Sequence, residues 1–216
     1  LGQNFAKAFD VKFQTKDNKE EFVWATSWGI STRLVGAIIL THGDDKGLRL
    51  PPKIAPIQVV IIPISKNQSD KSKIESYLES TIKELKSSGT RVHIDWTNNT
   101  PGFKYNEWEM KGVPLRMEVG PRDIKNDQVV IARRDLGEKI FLKKKDILSE
   151  VPKMLKTIQD NLFEKAKKFR DENTFSVSSY QEFFSIIKSG GFIRCGWNGS
   201  SKTELKIKED TKATIR

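Results

Sequence analysis

Cysteine is almost missing from these 216 residues: Cys195 stands alone. An internal disulfide is therefore excluded, one thiolate cannot build a tetrahedral metal site, and a reducing cytoplasm is the simplest home. Histidine is nearly as scarce, with His42 and His93 only. His42, Asp44 and Asp45 lie together, but nothing spaces His93 as a further ligand. That cluster reads as a helix end followed by an acidic turn, and no metal site is predicted. No apolar run approaches the ~18 residues that cross a bilayer; the longest lies near Leu34–Leu40. The first residues, LGQNFAKAFDVKF, have no secretory h-region and no starting Met. They begin inside what reads as a strand (Val11, Phe13), so the expectation is a chain cut from something longer. GWNGSSKT (196–203) ends like a phosphate loop, but Ser201 stands where the second glycine must be. Nucleophile-elbow and kinase signatures are absent as well.

Charge is present in excess. Lys and Arg number 38 against 28 Asp and Glu, giving a formal net charge of +10 and a pI near 9.6. Such a balance favours polyanion partners through long-range attraction and counterion release. A lysine-rich solvated surface is the plainer alternative. With 37% hydrophobic residues the chain can still bury a core.

AFDVKFQT and EEFVWATSW, separated by KDNKE, predict a hairpin. Ser31-Thr32 then reads as an N-cap for an apolar helix from Arg33 to about Thr41, closed by GDDKG. LRLPP leaves in extended form, and Pro51-Pro52 with KIAP makes a stiff connector. IQVVIIPI (57–64) is a nearly continuous β-branched run that suits a strand buried on both faces. Ile74, Leu78, Ile82 and Leu85 follow at spacings of four, four and three, an amphipathic helix ended by Gly89. TRVHIDW is the next strand, so the unit is βαβ with parallel strands. A loop, TNNTPGF, leads to a short helix ending near KGVP, and PLRMEVG, QVVIARRD and EKIFLKK add three strands. A long helix over 146–172, with Leu148, Met154, Leu155, Ile158, Leu162 and Phe163 as its apolar residues, a helix in SYQEFFSIIKSGG and a strand in GFIRCGW complete the chain. The predicted class is α/β and α+β in three parts, 1–52, 53–145 and 146–216.

Two stretches carry chemistry. A helix N-terminus already holds about half a positive charge and free N–H donors, so Arg33 there is unfavourable unless an anion is near. Ser31 and Thr32 add hydroxyls at the same point, making a phosphate or carboxylate site, and Trp28 and Gly29 offer a wall and a close-approach position. Internal pairing of Arg33, or extension into solvent, is the alternative. EWEMKGVPLRMEVGPRD (107–123) crowds Glu, Arg and Asp at strand ends, where ligands bind such sheets. Arg and Lys meet guanine edges bidentately and carboxylates accept from exposed amino groups, so the stretch suits base reading. A surface salt-bridge network is the alternative.

TSWGISTRLVGAIILTHGDDKGLRLPP resembles the third signature region of prolyl-tRNA synthetases, class II aminoacyl-tRNA synthetases. LGQNFAKAF resembles the segment after that family's proline-binding T-S-H element. TPGFKYNEWEMKGVPLRMEVGPRD resembles its anticodon-binding domain, and DTKATIR its C-terminal domain. The likeness covers essentially the whole chain and is nearest the archaeal/eukaryotic-like type. It implies the end of a class II antiparallel-sheet catalytic domain (1–52), a mixed-sheet α/β anticodon-binding domain (53–145) and a small, truncated α+β C-terminal domain (146–216). It further implies ATP contacts from Ser31 and Arg33, with Arg33 catalytic, and a proline pocket lined by Ser27, Trp28 and Gly29. Glu109, Arg116, Arg122 and Asp123 match positions that read the two guanines of the proline anticodon, and Lys139 lies near a further basic contact.

The implied function is ATP-dependent ligation of L-proline to proline tRNA through a prolyl-adenylate, with Mg²⁺ in the ATP complex and a homodimeric complete protein in the cytoplasm. The family's first two signature regions lie upstream of the matched stretch, so this chain alone is not expected to be active. The family's C-terminal domain often binds zinc through four cysteines; Cys195 fits the first, the second falls near Thr203, and zinc is not predicted. The competing expectation is a non-catalytic tRNA-binding or RNA-binding module with a vestigial synthetase portion.

Overall fold

The computed structural model describes residues 2–65 and 67–215. Leu1 and Arg216, the ends of the quoted LGQNFAKAF and DTKATIR, lie outside them. The chain divides into two compact units, residues 1–40 and residues 41–216.

The first unit opens with helix α1 (Asn4–Ala8) where the sequence suggests the run-up to a strand. The pairing starts later: β1 (Lys12–Gln14) lies antiparallel to β2 (Glu20–Phe22), with Lys12 opposite Phe22. The predicted hairpin is therefore present but shorter. Local hydrogen bonds explain the early helix, because Lys7 N–H reaches Gln3 and Phe9 N–H reaches Phe5 before Val11 turns away. Helix α2 (Arg33–His42) follows close to the bounds read from the sequence.

The second unit is built on a five-stranded mixed sheet. Its strands are β3 (Val59–Pro63), β4 (Val92–Ile94), β5 (Leu115–Val119), β6 (Gln128–Arg133) and β7 (Lys139–Lys143), in the order β4-β3-β5-β6-β7. β4, β3 and β5 are parallel, and β6 and β7 are antiparallel additions. The predicted βαβ unit is present, with α3 (Gln68–Ser87) as its crossover. Asn67 caps α3, its side chain accepting from Asp70 N–H at 2.8 Å.

Every residue of β3 is buried, as its unbroken apolar run requires. Val59 and Ile61 meet the main core with Leu115, Met117, Val119, Val129 and Ile131. Ile74, Leu78 and Leu85 of α3 cover it, together with α6 (Ile147–Glu172) through Ile147, Val151, Leu155, Ile158 and Leu162. Each such side chain contributes about 1.5–3 kcal/mol. The stripe differs from the sequence reading at two places: Leu148 and Phe163 are exposed, and Ile147 and Val151 take the core positions at helical spacing. On the other face, Val60 and Ile62 pack with Val113 and with Trp108 of α4 (Pro101–Met110).

A short helix α5 (Pro121–Lys125) follows β5. After α6 the chain forms β8 (Thr174–Ser176), α7 (Tyr180–Ser189), β9 (Phe192–Arg194) and α8 (Ser201–Thr211), with β8 and β9 parallel.

Candidate nucleic-acid interface

Strand alternation places the functional side chains. On β5, Leu115, Met117 and Val119 enter the main core, so Arg116 and Glu118 must emerge on the α4 side. The register then makes a row across the sheet: Val60 opposite Arg116, Arg116 opposite Ala132, Ala132 opposite Lys139. The next row runs Ile62, Glu118, Val130, Phe141.

α4 closes over one side of this row. Thr100 caps it and Pro101 opens it. Its seat is fixed by Asp95, which accepts from the Trp108 indole N–H at 2.7 Å and lies 3.6 Å from the buried Lys104 ammonium. From α4, Tyr105 presents its ring 4.3 Å from the Arg116 guanidinium and 5.0 Å from Lys139 Nζ. Glu118 is buried between the two cations, accepting from Arg116 Nε at 3.0 Å and lying 2.9 Å from Lys139 Nζ. Burial, then the charge of Glu118, pushes the Tyr105 phenol up, so its hydroxyl stays a donor at every ordinary pH.

The result is a cleft lined by Lys46, Trp108, Glu109, Arg116, Arg133 and Lys139. Three of the five residues expected to meet the anticodon, Glu109, Arg116 and Lys139, share it. Arg122 and Asp123 sit apart at the start of α5: Arg122 is exposed, and the Asp123 carboxylate accepts from Gly120 N–H at 2.9 Å. Sequence reasoning missed Glu118, Tyr105 and Lys46. Glu118 had a signal, since it stands two residues from Arg116 on the same strand face. Lys46, 3.6 Å from Glu109, had none.

HGDDKG forms the predicted turn, with Asp44 and Gly47 exchanging backbone hydrogen bonds at 3.0 Å. Asp44 is held by Arg134 and Arg49. Both oxygens of the Asp44 carboxylate thereby meet guanidinium groups. His42 ends α2, and burial together with the Lys165 charge pushes its imidazole down.

In the first unit, Arg33 is the first residue of α2, with no acidic residue in that turn. Its N–H reaches Ser31 Oγ at 3.4 Å, and among the described residues its guanidinium makes no ion pair. Ser27, Trp28 and Gly29 are all exposed, Trp28 almost fully at 96%.

Residues 58–154 match the family model described as anticodon binding domain. A proline–tRNA ligase of Chlorobium phaeobacteroides is 51% identical over 218 residues, covering 100% of this chain and 45% of that protein. One from Bacteroides fragilis is 51% identical over 217 residues, covering 44% of its length. Among solved structures, prolyl-tRNA synthetase from Cryptosporidium parvum, crystallised with L-proline and AMP, matches with a TM-score of 0.81 and 41% identity. The match covers 98% of this chain and 46% of that one. The chain thus spans about half the length of the relatives it matches. It belongs to the prolyl-tRNA synthetase family and corresponds to its C-terminal region.

Proposed function

We propose that the protein carrying this chain ligates L-proline to proline tRNA at the expense of ATP, and that the cleft beside α4 binds the anticodon. The observation that carries this reading is the convergence of Glu109, Arg116 and Lys139 on one cleft within a region matching an anticodon-binding domain. Arg116, held on its β5 face by Glu118 and Tyr105, is pre-aimed for a planar acceptor edge such as guanine O6/N7. Glu109 supplies the acceptor for an exposed amino group. Arg122 and Asp123, outside the cleft at the start of α5, complete the set of residues assigned to the anticodon.

In the first unit, Ser31 and Arg33 contact ATP, and Ser27, Trp28 and Gly29 line the proline pocket. The relative solved with L-proline and AMP supports this assignment. The proline carboxylate attacks the α-phosphate, an anhydride P–O bond forms, and pyrophosphate leaves. The 3′-terminal hydroxyl of the tRNA then attacks the prolyl carbonyl and AMP leaves. Arg33 would neutralise phosphate charge as it builds in the first step. Mg²⁺ enters with ATP as a substrate complex, and the complete protein works as a homodimer in the cytoplasm. The three-part division at residues 52 and 145 belongs to the same reading.

The test is aminoacylation by the complete protein. Arg116→Ala should weaken proline tRNA by about 1–3 kcal/mol and leave unrelated tRNAs unaffected. Equal weakening for all tRNAs would remove base reading from Arg116. Absence of proline-dependent ATP–pyrophosphate exchange in the unaltered protein would favour the non-catalytic RNA-binding module.

A further inference from the structure

The edge strand β7 carries a pattern beside the cleft. Leu142 packs against the main core, so Lys139, Phe141 and Lys143 share the opposite face at period two. Lysines are common on an edge strand, where they discourage pairing with another chain. Phe141 between them has no such use, and it is 70% exposed. A single exposed aromatic is unremarkable on a surface; its surroundings set this one apart. Phe141 lies in the cross-sheet row of Glu118, opposite Val130. The neighbouring Lys139 bonds Glu118 and lines the cleft, and Lys143 is anchored to the Asn126 carbonyl at 2.8 Å.

We propose that Phe141 is a stacking platform for an unpaired base of the bound RNA, next to the bases met by Arg116 and Glu109. Lys139 and Lys143 lie on either side of it along the phosphate backbone. An aromatic face between cations is the combination that holds single-stranded nucleic acid, because every base has a π-face and every linkage a charge. A protein partner seated on Phe141 would have to desolvate both lysines, which disfavours that occupant. The inference rests on the reading of the cleft as an anticodon site and adds a residue to it.

The probe is the anticodon stem-loop of proline tRNA, with 2-aminopurine placed in turn at each unpaired loop position other than the two guanines. Binding to the full chain should quench the fluorophore at one position. Phe141→Ala should weaken binding on the order of 10-fold and abolish that quench, while Phe141→Trp restores both. The melting temperature should not move, because the ring is exposed.

Unchanged affinity and quenching in Phe141→Ala, with guanine-dependent binding intact, overturns this inference and leaves the cleft reading standing. Binding indifferent to replacement of the two guanines overturns the cleft reading, and this inference with it. Loss of self-association in Phe141→Ala at unchanged RNA affinity would assign the ring to a protein contact instead.

Discussion

Arg134 grips Asp44 with both terminal nitrogens of its guanidinium across 90 residues of sequence, while its Nε donates to the Glu109 carbonyl at 3.0 Å. One buried side chain thereby ties the HGDDKG turn to the C-terminal end of α4, the end that carries Glu109 into the cleft. Arg134→Ala should cost about 2–3 kcal/mol, because the half-buried Asp44 loses its main partner. The same change should also weaken anticodon RNA at temperatures well below melting, through the displaced Glu109. Stability from urea titration and affinity from RNA binding read the two effects separately.

The pair also sets a pH response. The hydrogen bond from Arg134, against the opposing effect of burial, holds the Asp44 carboxyl well below the usual carboxylate range. A depressed folded pKa stabilises the fold fully above the unfolded value near 4 and loses that stabilisation as pH falls towards the folded one. Asp44→Asn should therefore be less stable than the parent at pH 7 by about 2–3 kcal/mol, with the gap narrowing below pH 4. Urea midpoints across pH 3 to 7 check it; a constant gap would remove Asp44 from the acid response.

A second tie is backbone on backbone. Leu48 N–H donates to the Met110 carbonyl at 3.0 Å and Leu50 N–H to the Gly112 carbonyl at 3.1 Å. Gly112 has φ +74°, and a Cβ there would stand 2.5 Å from Leu48 Cβ and 2.7 Å from the Leu48 carbonyl carbon. Gly112→Ala should cost at least about 2 kcal/mol, from left-handed strain together with the clash. Gly137→Ala is the control, since φ is also +74° but its Cβ would meet nothing. It should cost only the strain, about 1 kcal/mol. Thermal melts of both variants separate the two contributions.

These ties mark where sequence reading stops. β3 and α3 were legible because their signals are local: an unbroken β-branched run, and apolar residues at helical spacing. Arg116 was legible as a charged residue on a strand whose neighbours alternate apolar. Glu118 obeys the same alternation, but a buried carboxylate is credible only once Arg116 and Lys139 are seen on either side of it. The Asp44–Arg134 pair and the Lys46 contact to Glu109 depend on which turn lands against which helix, and no local pattern encodes that. β8 escaped notice for a related reason: three residues form a strand only because Phe192–Arg194 lie beside them.

Asp95 offers a third test of how α4 is held. Its carboxylate accepts from the Thr97 hydroxyl at 2.6 Å and the Trp108 indole at 2.7 Å, and its backbone carbonyl accepts from Lys104 Nζ at 2.9 Å. Burial alone would raise its pKa, yet the bonds from Thr97 and Trp108 prevail and bring it down to about 2. Asp95→Ala leaves the buried Lys104 ammonium without its carboxylate and should cost about 3–5 kcal/mol. Adding Lys104→Met in the same chain should recover part of that loss, since the unpaired charge goes too. Chemical unfolding of the single and double variants decides it; a double variant weaker than the single would mean that Lys104 matters for packing and not for charge.

Arg33 is the strictest test of the first unit. Its guanidinium stands exposed at the positive end of α2 with no acidic residue in that turn, an arrangement that costs a few tenths of a kcal/mol in isolation. If ATP phosphate is the missing anion, Arg33→Ala in the complete protein should abolish most proline-dependent ATP–pyrophosphate exchange. Proline tRNA binding should stay at the parent level, because the cleft proposed for the anticodon is untouched. Arg33→Lys should recover only part of the exchange, since a compact ammonium cannot make the paired contacts of a planar guanidinium. The stability of Arg33→Ala should rise slightly, by a few tenths of a kcal/mol, as the repulsion at the helix end is relieved. Unchanged exchange in Arg33→Ala would take the nucleotide role away from this residue.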